Sequence, residues 1–464
     1  MKREKHDVGF GGRISYGSCN FGMNIINTIV GSFVTMYYTD NVLLSAGFVG
    51  TMLLAVRVLD GITDLIMGAI IDHTHTRLGK ARPWLLGGCF FSVLSMYFVF
   101  NIPRGITGLG AEIYCVVTYI LNTAVFGTIV NVSWSTLAVK MSRNPDTRSS
   151  MMNIAQFFAQ LAGLLAGSYA VTLIMFFGGY ETGYKGMTLV FGLIALVSML
   201  LTGLLCKEYD VEEKGAVQVR EEENTEKHSA KELLGYMFKN KYMIPLILGF
   251  VINWFALSLV ATSTIYFARD VMGNSEMMGA LNNARTLPAM ILLLVGVVPF
   301  LAARFGKRTI VIFACASHIV SGIVLALAGD SVPILIFGQV LRSVGSAFGS
   351  TLLMAMVSDV ADYINLKNNI DISGMTSSVV SFGMKVGGGI GSAAMAWALA
   401  LGNYSAEAAN SGLAQSAATI FAENACFIYI PTICFVILLV ICTNLDVDKK
   451  LKALRSERKE KGLA

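Results

Sequence analysis

Charge is scarce in this chain. Only 14% of its 464 residues are Asp, Glu, Lys or Arg, against about 25% in ordinary soluble domains. A water-solvated globular fold is therefore excluded as the class. Catalytic signatures are missing too: no HExxH, GxSxG or Walker pattern occurs, and the polar groups inside apolar segments do not form a nucleophile–base pair. An enzyme is not expected. None of the eight cysteines forms a CxxC; all lie in or beside apolar runs, so they read as small buried hydrophobes with free thiols. Alternating segments of about ten residues, the mark of a membrane β-barrel, are absent. The first residues, MKREKHDVGFGGR, are too polar for a signal core, so the first span is expected as an uncleaved helix.

Long apolar runs are what the chain has. Twelve blocks of 20 or more residues fall at 14–38, 47–71, 83–102, 111–139, 152–177, 187–206, 243–268, 277–301, 308–328, 332–358, 374–401 and 420–443. Each is long enough to cross about 30 Å of hydrocarbon as a helix. The expected class is all-α and polytopic, in a lipid bilayer.

Twelve spans put both ends of the chain on one side. The termini and the loops on that side carry 28 of the 35 Lys and Arg; the opposite loops carry only Arg104, Lys185 and Arg269, and Arg57, Arg285, Arg342 and Lys385 lie within spans. By the positive-inside rule both termini are cytoplasmic. This distribution accounts for the basic residues without a nucleic-acid partner.

The spans divide six and six. The polar segment 207–241, with nine acidic and seven basic residues, reads as a solvated linker with a short amphipathic helix near 230–239. The expected domains are an N-terminal six-helix bundle (1–206), a linker (207–242), a C-terminal bundle (243–443) and a tail (444–464). A weak repeat supports the division. Arg77-Leu-Gly79-Lys80 follows the second span, and Arg304-Phe-Gly306-Lys307 follows the eighth, 227 residues later. Parallel six-helix halves suggest a carrier that rocks around a central site.

Arg57, Asp60 and Asp64 interrupt the apolar run from Gly47 to Ile71. Their spacing puts all three on one helical face, with Asp60 near mid-bilayer. A charge there costs about 2.5–3.5 kcal/mol on insertion scales and marks an ion or substrate route. An Arg57–Asp60 lock between helices is the bland alternative, and it leaves Asp64 needing a second cation. Two carboxylates with a hydroxyl suit Na⁺ or Li⁺; one protonated carboxyl carries H⁺ instead. Lys385 sits at similar depth within SFGMKVGGGIGSA, as a counter-ion to the Asp pair or a ligand for an anionic solute. The glycines around it lack the phosphate-loop pattern and suit close helix contact. Asn24, Asn27, Thr128, Asn131 and Trp134 lie at the same level, where Asn and Thr also bond across helices and Trp also simply packs. His73 and His75 lie in a loop with no further metal ligand, and His318 is expected to pack.

Arg57-Val-Leu-Asp60-Gly-Ile-Thr63-Asp64, followed by Thr76-Arg-Leu-Gly-Lys-Ala-Arg-Pro-Trp84, resembles the signature of the glycoside–pentoside–hexuronide:cation symporters of the major facilitator superfamily. Further matches are YYTD at 37–40, VTYIL at 117–121, NVSWSTLA at 131–138, the loop from Asp146 to Arg148, Ser358-Asp359-Val-Ala-Asp362-Tyr363, and Lys385. The resemblance implies twelve helices in two bundles and import of a sugar with a cation. It implies that Asp60 and Asp64 bind the cation with help from Thr128, and that Lys385 links cation and sugar sites. It places Arg77, Arg148, Arg304, Asp359 and Asp362 in a cytoplasmic gate. It also implies a bacterial inner membrane, a monomer, no cofactor, and no metal beyond a coupling ion (Na⁺, Li⁺ or H⁺).

Departures from the melibiose branch bear on specificity. Thr63 replaces an Asn beside the second Asp. Asn24 and Asn131 replace acids, and Gln156 replaces an Arg. Losing two carboxylates while keeping Lys385 favours an anionic solute, and Ser381-Phe382 before the Lys is similar to the glucuronide carriers. The expected sugar ligands are Asn24, Asn131, Trp134, Gln156, Ser381 and Lys385; the expected solute is a hexuronide or β-glucuronide, with a neutral glycoside second. A lipid or amphiphile carrier and a non-transporting sugar sensor are the rival functions.

Overall fold

A computed structural model describes residues 8–103, 105–142, 144–208, 235, 240–368, 373–445 and 447–460. The helix expected near 230–239 therefore lies outside the described residues, apart from Gly235. The helices are α1 Phe10–Met36, α2 Ala46–His73, α3 Arg82–Val99, α4 Leu109–Ile120, α5 Thr128–Met141, α6 Pro145–Phe176, α7 Gly179–Leu205, α8 Met243–Tyr266, α9 Met277–Leu294, α10 Val297–Phe305, α11 Lys307–Leu327, α12 Val332–Asn368, α13 Ser373–Leu401, α14 Ala406–Asn410, α15 Ala417–Asn424, α16 Ile430–Thr443 and α17 Val447–Glu460. No strand occurs among the described residues. Each of the twelve apolar blocks is helical, and among the described residues nine helices are long and apolar enough to cross a bilayer.

Helices dominate because hydrocarbon offers the backbone no hydrogen-bond partners, so each span must satisfy its own. Where a span is irregular, a neighbour supplies the missing bond. Pro288 lies inside α9, and the next N–H, of Ala289, donates to Ser343 Oγ at 2.7 Å.

Among the described residues four π turns lengthen helices: Tyr37–Asn41 after α1, Leu121–Gly127 joining α4 to α5, Phe267–Val271 after α8, and Ala425–Tyr429 joining α15 to α16. The first and third match in position and bonding. Val42 N and Leu44 N donate to Tyr37 O and Tyr38 O; Met272 N and Asn274 N donate to Phe267 O and Ala268 O. The offset is 230 residues, close to that of the sequence repeat.

By internal packing the chain forms two compact units. One comprises Met1–Lys214, Ala261–Thr286 and Ser392–Asn424; the other Gly215–Val260, Leu287–Gly391 and Ala425–Ala464. In the first unit α1 packs on α6 and α7, and α3 on α7. In the second, α11 packs on α12 and α16, around buried Phe250, Val311, Phe348, Leu353, Ile364 and Phe435. There His318 stacks on Phe435 at 3.6 Å, the packing role expected for it. The glycines near Lys385 serve close approach: a Cβ on Gly387 would lie 2.4 Å from the carbonyl oxygen of Val251 on α8.

The loop after α2 is held by one carboxylate. Glu208 accepts from the N–H groups of Lys80, Ala81 and Arg82 at 2.8–2.9 Å, which are the unsatisfied donors at the start of α3. Gly79 makes room with φ +108°, and a Cβ there would stand 2.4 Å from the Glu208 carboxyl carbon. Glu208→Ala is expected to cost about 1–3 kcal/mol, read as a lower melting temperature; an unchanged melting temperature would mean that water replaces the carboxylate without loss.

Candidate cation and solute site

The α2 face carrying Arg57, Asp60, Thr63 and Asp64 meets the start of α5. Asp60 is buried at 6% exposure, and its Oδ1 accepts from Thr128 Oγ1 at 2.8 Å. Thr63 Oγ1 donates to the Asp60 carbonyl at 3.1 Å and lies 3.4 Å from Thr128 Oγ1. Thr128 is the first residue after the Leu121–Gly127 π turn, a local change of register that recurs at functional sites. The structure thus brings Asp60, Thr63 and Thr128 together, and Asp64 follows half-buried one turn along α2. One carboxylate and two hydroxyls form a hard oxygen set.

The Arg57–Asp60 lock is loose. Arg57 Nη1 stands 4.0 Å from Asp60 Oδ2, with the arginine side chain 31% exposed. A pair of that kind contributes about 0–1 kcal/mol, too little to explain two carboxylates in an apolar span.

The expected solute ligands divide into two kinds. Asn24 Nδ2 is already committed to Asn20 O and Oδ1 at 2.8 and 2.9 Å, and Asn20 is tied to Ala155 O. Trp134 donates from Nε1 to Tyr16 O at 3.1 Å and stacks on the Tyr16 ring at 4.9 Å, so one ring face is occupied by protein. Asn131 and Gln156 are exposed on α5 and α6. In the other unit, Lys385 is half-buried and Ser381 exposed on α13.

The residues expected in the gate are divided between the two units, Arg77 and Arg148 in the first and Arg304, Asp359 and Asp362 in the second. Asp359 is paired with Lys307 at 2.6 Å, so the basic partner is the last residue of the RFGK repeat. Arg304 is exposed over the Phe305 ring. Arg77 is exposed, and Arg148 and Asp362 are half-buried.

A charged network that the sequence reading did not assemble lies within the first unit, just past the C-terminal ends of α1 and α8. Arg269 Nη1 donates to Asp40 Oδ2 at 2.5 Å. Its Nε and Nη2 grip both oxygens of Asp270 at 2.7 and 2.9 Å. Nη2 also reaches Tyr404 Oη at 2.5 Å, and Tyr404 donates to Asp40 Oδ1 at 2.8 Å. Asn410 Nδ2 adds a bond to the Asp40 carbonyl. The available signals were Arg269 as one of three cations on the basic-poor side, and Asp40 inside the YYTD match.

Among the described residues no cluster of three His, Cys, Asp or Glu side chains fits a metal ion. His73 and His75 are exposed. The eight cysteines are free.

A family model described as MFS/sugar transport protein matches residues 15–449. The isoprimeverose transporter of Lactiplantibacillus pentosus is 29% identical over 423 residues, covering 89% of this chain and 85% of that one. The glucuronide carrier protein homolog of Escherichia coli (strain K12) is 25% identical over 386 residues, covering 80% and 79%. The crystal structure of the nucleoside transporter NupG superposes with a TM-score of 0.60 at 10% identity, covering 94% of this chain and all of that one; that likeness speaks to the fold alone. The protein is a multi-pass membrane sugar transporter and not an enzyme. The chain belongs to the MFS/sugar transport protein family, within its glycoside–pentoside–hexuronide:cation symporter group.

Proposed function

We propose that this symporter imports a hexuronide or β-glucuronide with a monovalent cation across a bacterial inner membrane, by rocking of two six-helix bundles. The observation that carries the cation part is the Asp60–Thr128–Thr63 oxygen set. Its hard oxygens suit Na⁺ or Li⁺, with H⁺ on a carboxyl as the alternative. Asp64 completes the site from the next turn of α2.

The solute reading rests on charge. Asn24, Asn131 and Gln156 are neutral, while Lys385 supplies a positive charge on α13. With those positions neutral, the positive charge of Lys385 in a low-dielectric membrane interior favours a carboxylated sugar. A neutral pentose-containing glycoside is the second reading, favoured by the 29% identity to an isoprimeverose transporter.

Uptake into proteoliposomes separates them. The solutes are phenyl β-glucuronide, glucuronate, a β-xyloside and melibiose, each under an inward Na⁺ gradient and under an inward H⁺ gradient. Accumulation of the glucuronide under one gradient is the expected result. Accumulation of the β-xyloside alone would overturn the anionic reading and keep the symport. No accumulation of any sugar would overturn both.

A further inference from the structure

The network around Arg269 holds more acid than base. Asp40, Asp270 and Glu423 contribute three carboxyls; Arg269 contributes one guanidinium. Two of the carboxyls are bonded directly to Arg269. Glu423, on α15, is not. Its side chain is wholly buried, at 0% exposure, and neither carboxyl oxygen has a hydrogen-bond donor among the described residues. Helix α15 packs against the Phe267–Val271 turn, so Glu423 faces Asp270, with Arg269 and Asp40 beyond. Tyr266, Tyr404 and Tyr180 line the same cluster. No second Lys, Arg or His appears among these facing groups.

An ionised carboxylate in that place would be buried, without a donor, and next to another carboxylate whose oxygens are themselves acceptors. Each of those conditions disfavours the charge. A shared proton removes all three problems at once. Glu423 becomes a donor, Asp270 accepts from it, and Asp270 keeps both bonds from Arg269. The cluster then falls from two excess negative charges to one, and of its two carboxylates Asp270 is held by Arg269 and Glu423, while Asp40 also accepts from Tyr404 and Thr39.

We propose that the Glu423–Asp270 pair is a proton-binding site, filled while the Asp40–Arg269–Tyr404 network is closed. The proton comes from water on the face where α1 and α8 end. When the network opens, water reaches Glu423, its carboxyl ionises, and the proton returns to that water. The closed arrangement therefore holds one proton more than the opened one. By linkage, closing is favoured as the pH of that face falls and opposed as it rises. This site is separate from Asp60 and Asp64, and it is independent of which solute is carried.

The test is infrared difference spectroscopy on the purified full-length protein across a pH series, without solute or ion gradient. A protonated buried carboxyl gives its own C=O stretching band, distinct from carboxylate. The expected result is a band in the wild type at neutral pH that Glu423→Gln removes and Asp60→Asn leaves in place. Asp270→Asn is the second variant, chosen to keep size and shape. It frees Arg269 to turn toward Glu423, so the band should titrate away about one pH unit lower or more. A band unchanged by Glu423→Gln would overturn the proposal. So would a wild-type band that appears only after Na⁺ is withdrawn, because a metal cation would then hold the site. Because the readout needs no transport, failure of the solute or symport reading leaves it intact, and the converse holds.

Discussion

Asp60→Asn is expected to abolish accumulation of solute against its gradient while down-gradient exchange survives. The substitution keeps the shape of the side chain and still accepts from Thr128 Oγ1. It removes the charge. At an effective dielectric of 20, a unit charge about 4 Å from a cation is worth about 4 kcal/mol. Losing it lowers cation affinity by about a thousandfold. Symport requires each ligand to raise the affinity for the other, and that coupling is reciprocal. With cation binding lost, solute binding loses its coupling but not its pocket. Asp64→Asn should act in the same direction. Uptake into proteoliposomes under an ion gradient, beside counterflow without one, separates accumulation from exchange. If both variants concentrate solute like the wild type, α2 does not carry the cation site.

Arg269→Ala should have the other large effect. It leaves Asp40 and Asp270 buried, at 2% and 6% side-chain exposure, with no guanidinium between them. Removing one partner from a buried ion pair costs about 3–5 kcal/mol. That corresponds to a drop of roughly 100- to 1,000-fold or more in the population of the closed Asp40–Arg269 network. Transport should fall severely, because a carrier that cannot close one side cannot complete its cycle. The control is compensation. Asp40→Asn and Asp270→Asn added to Arg269→Ala leave no uncompensated charge on that pair. The triple variant should regain part of the activity, measured as uptake at equal protein in the membrane. A triple variant no better than the single one would mean that Arg269 acts through shape or through Tyr404 rather than through charge balance.

The helices were legible because apolar length is written locally. Each of the twelve blocks can be seen in the sequence, and each is helical. The spans that fall short of uniform apolarity are informative. They are α1 with its Asn residues, α2 with Arg57, Asp60 and Asp64, and the broken span of α9 and α10, where Arg285 and the turn at Gly296 interrupt the run. Polar residues placed for function lower the signal that identifies a span. The Asp60–Thr63 spacing was legible for the same reason, since a helix fixes what three and four residues apart means. Thr128 was legible as a polar residue at the same depth, and its role beside the cation came from the family resemblance.

Other features were not legible. Arg269 meets Asp40 across 229 residues of sequence, and Tyr404 meets Asp40 across 364. No local pattern encodes such a meeting. The same holds for Glu423, which in the sequence is one acid in an apolar block and in the structure faces Asp270. The choice of Lys307 over Arg304 as partner of Asp359 depends on which side of a turn each residue leaves, and the tetrapeptide RFGK does not show that. Trp134 carries an ambiguous signal by nature: an indole that stacks on a sugar and one that stacks on Tyr16 are the same residue until the neighbour is known.

The two matching π turns carry a consequence for symmetry. Asp40 and Asp270 occupy corresponding places in Tyr37–Asn41 and Phe267–Val271. The counterpart of Arg269 is Thr39. Each half brings an acid to the junction, and only the later half brings the base. A tandem of two first halves would set two aspartates face to face with nothing between them. A tandem of two second halves would carry two arginines. Only the unlike pairing leaves a single guanidinium to be shared. The two halves are therefore not interchangeable at this point, and separately expressed halves should reassemble only as heterodimers.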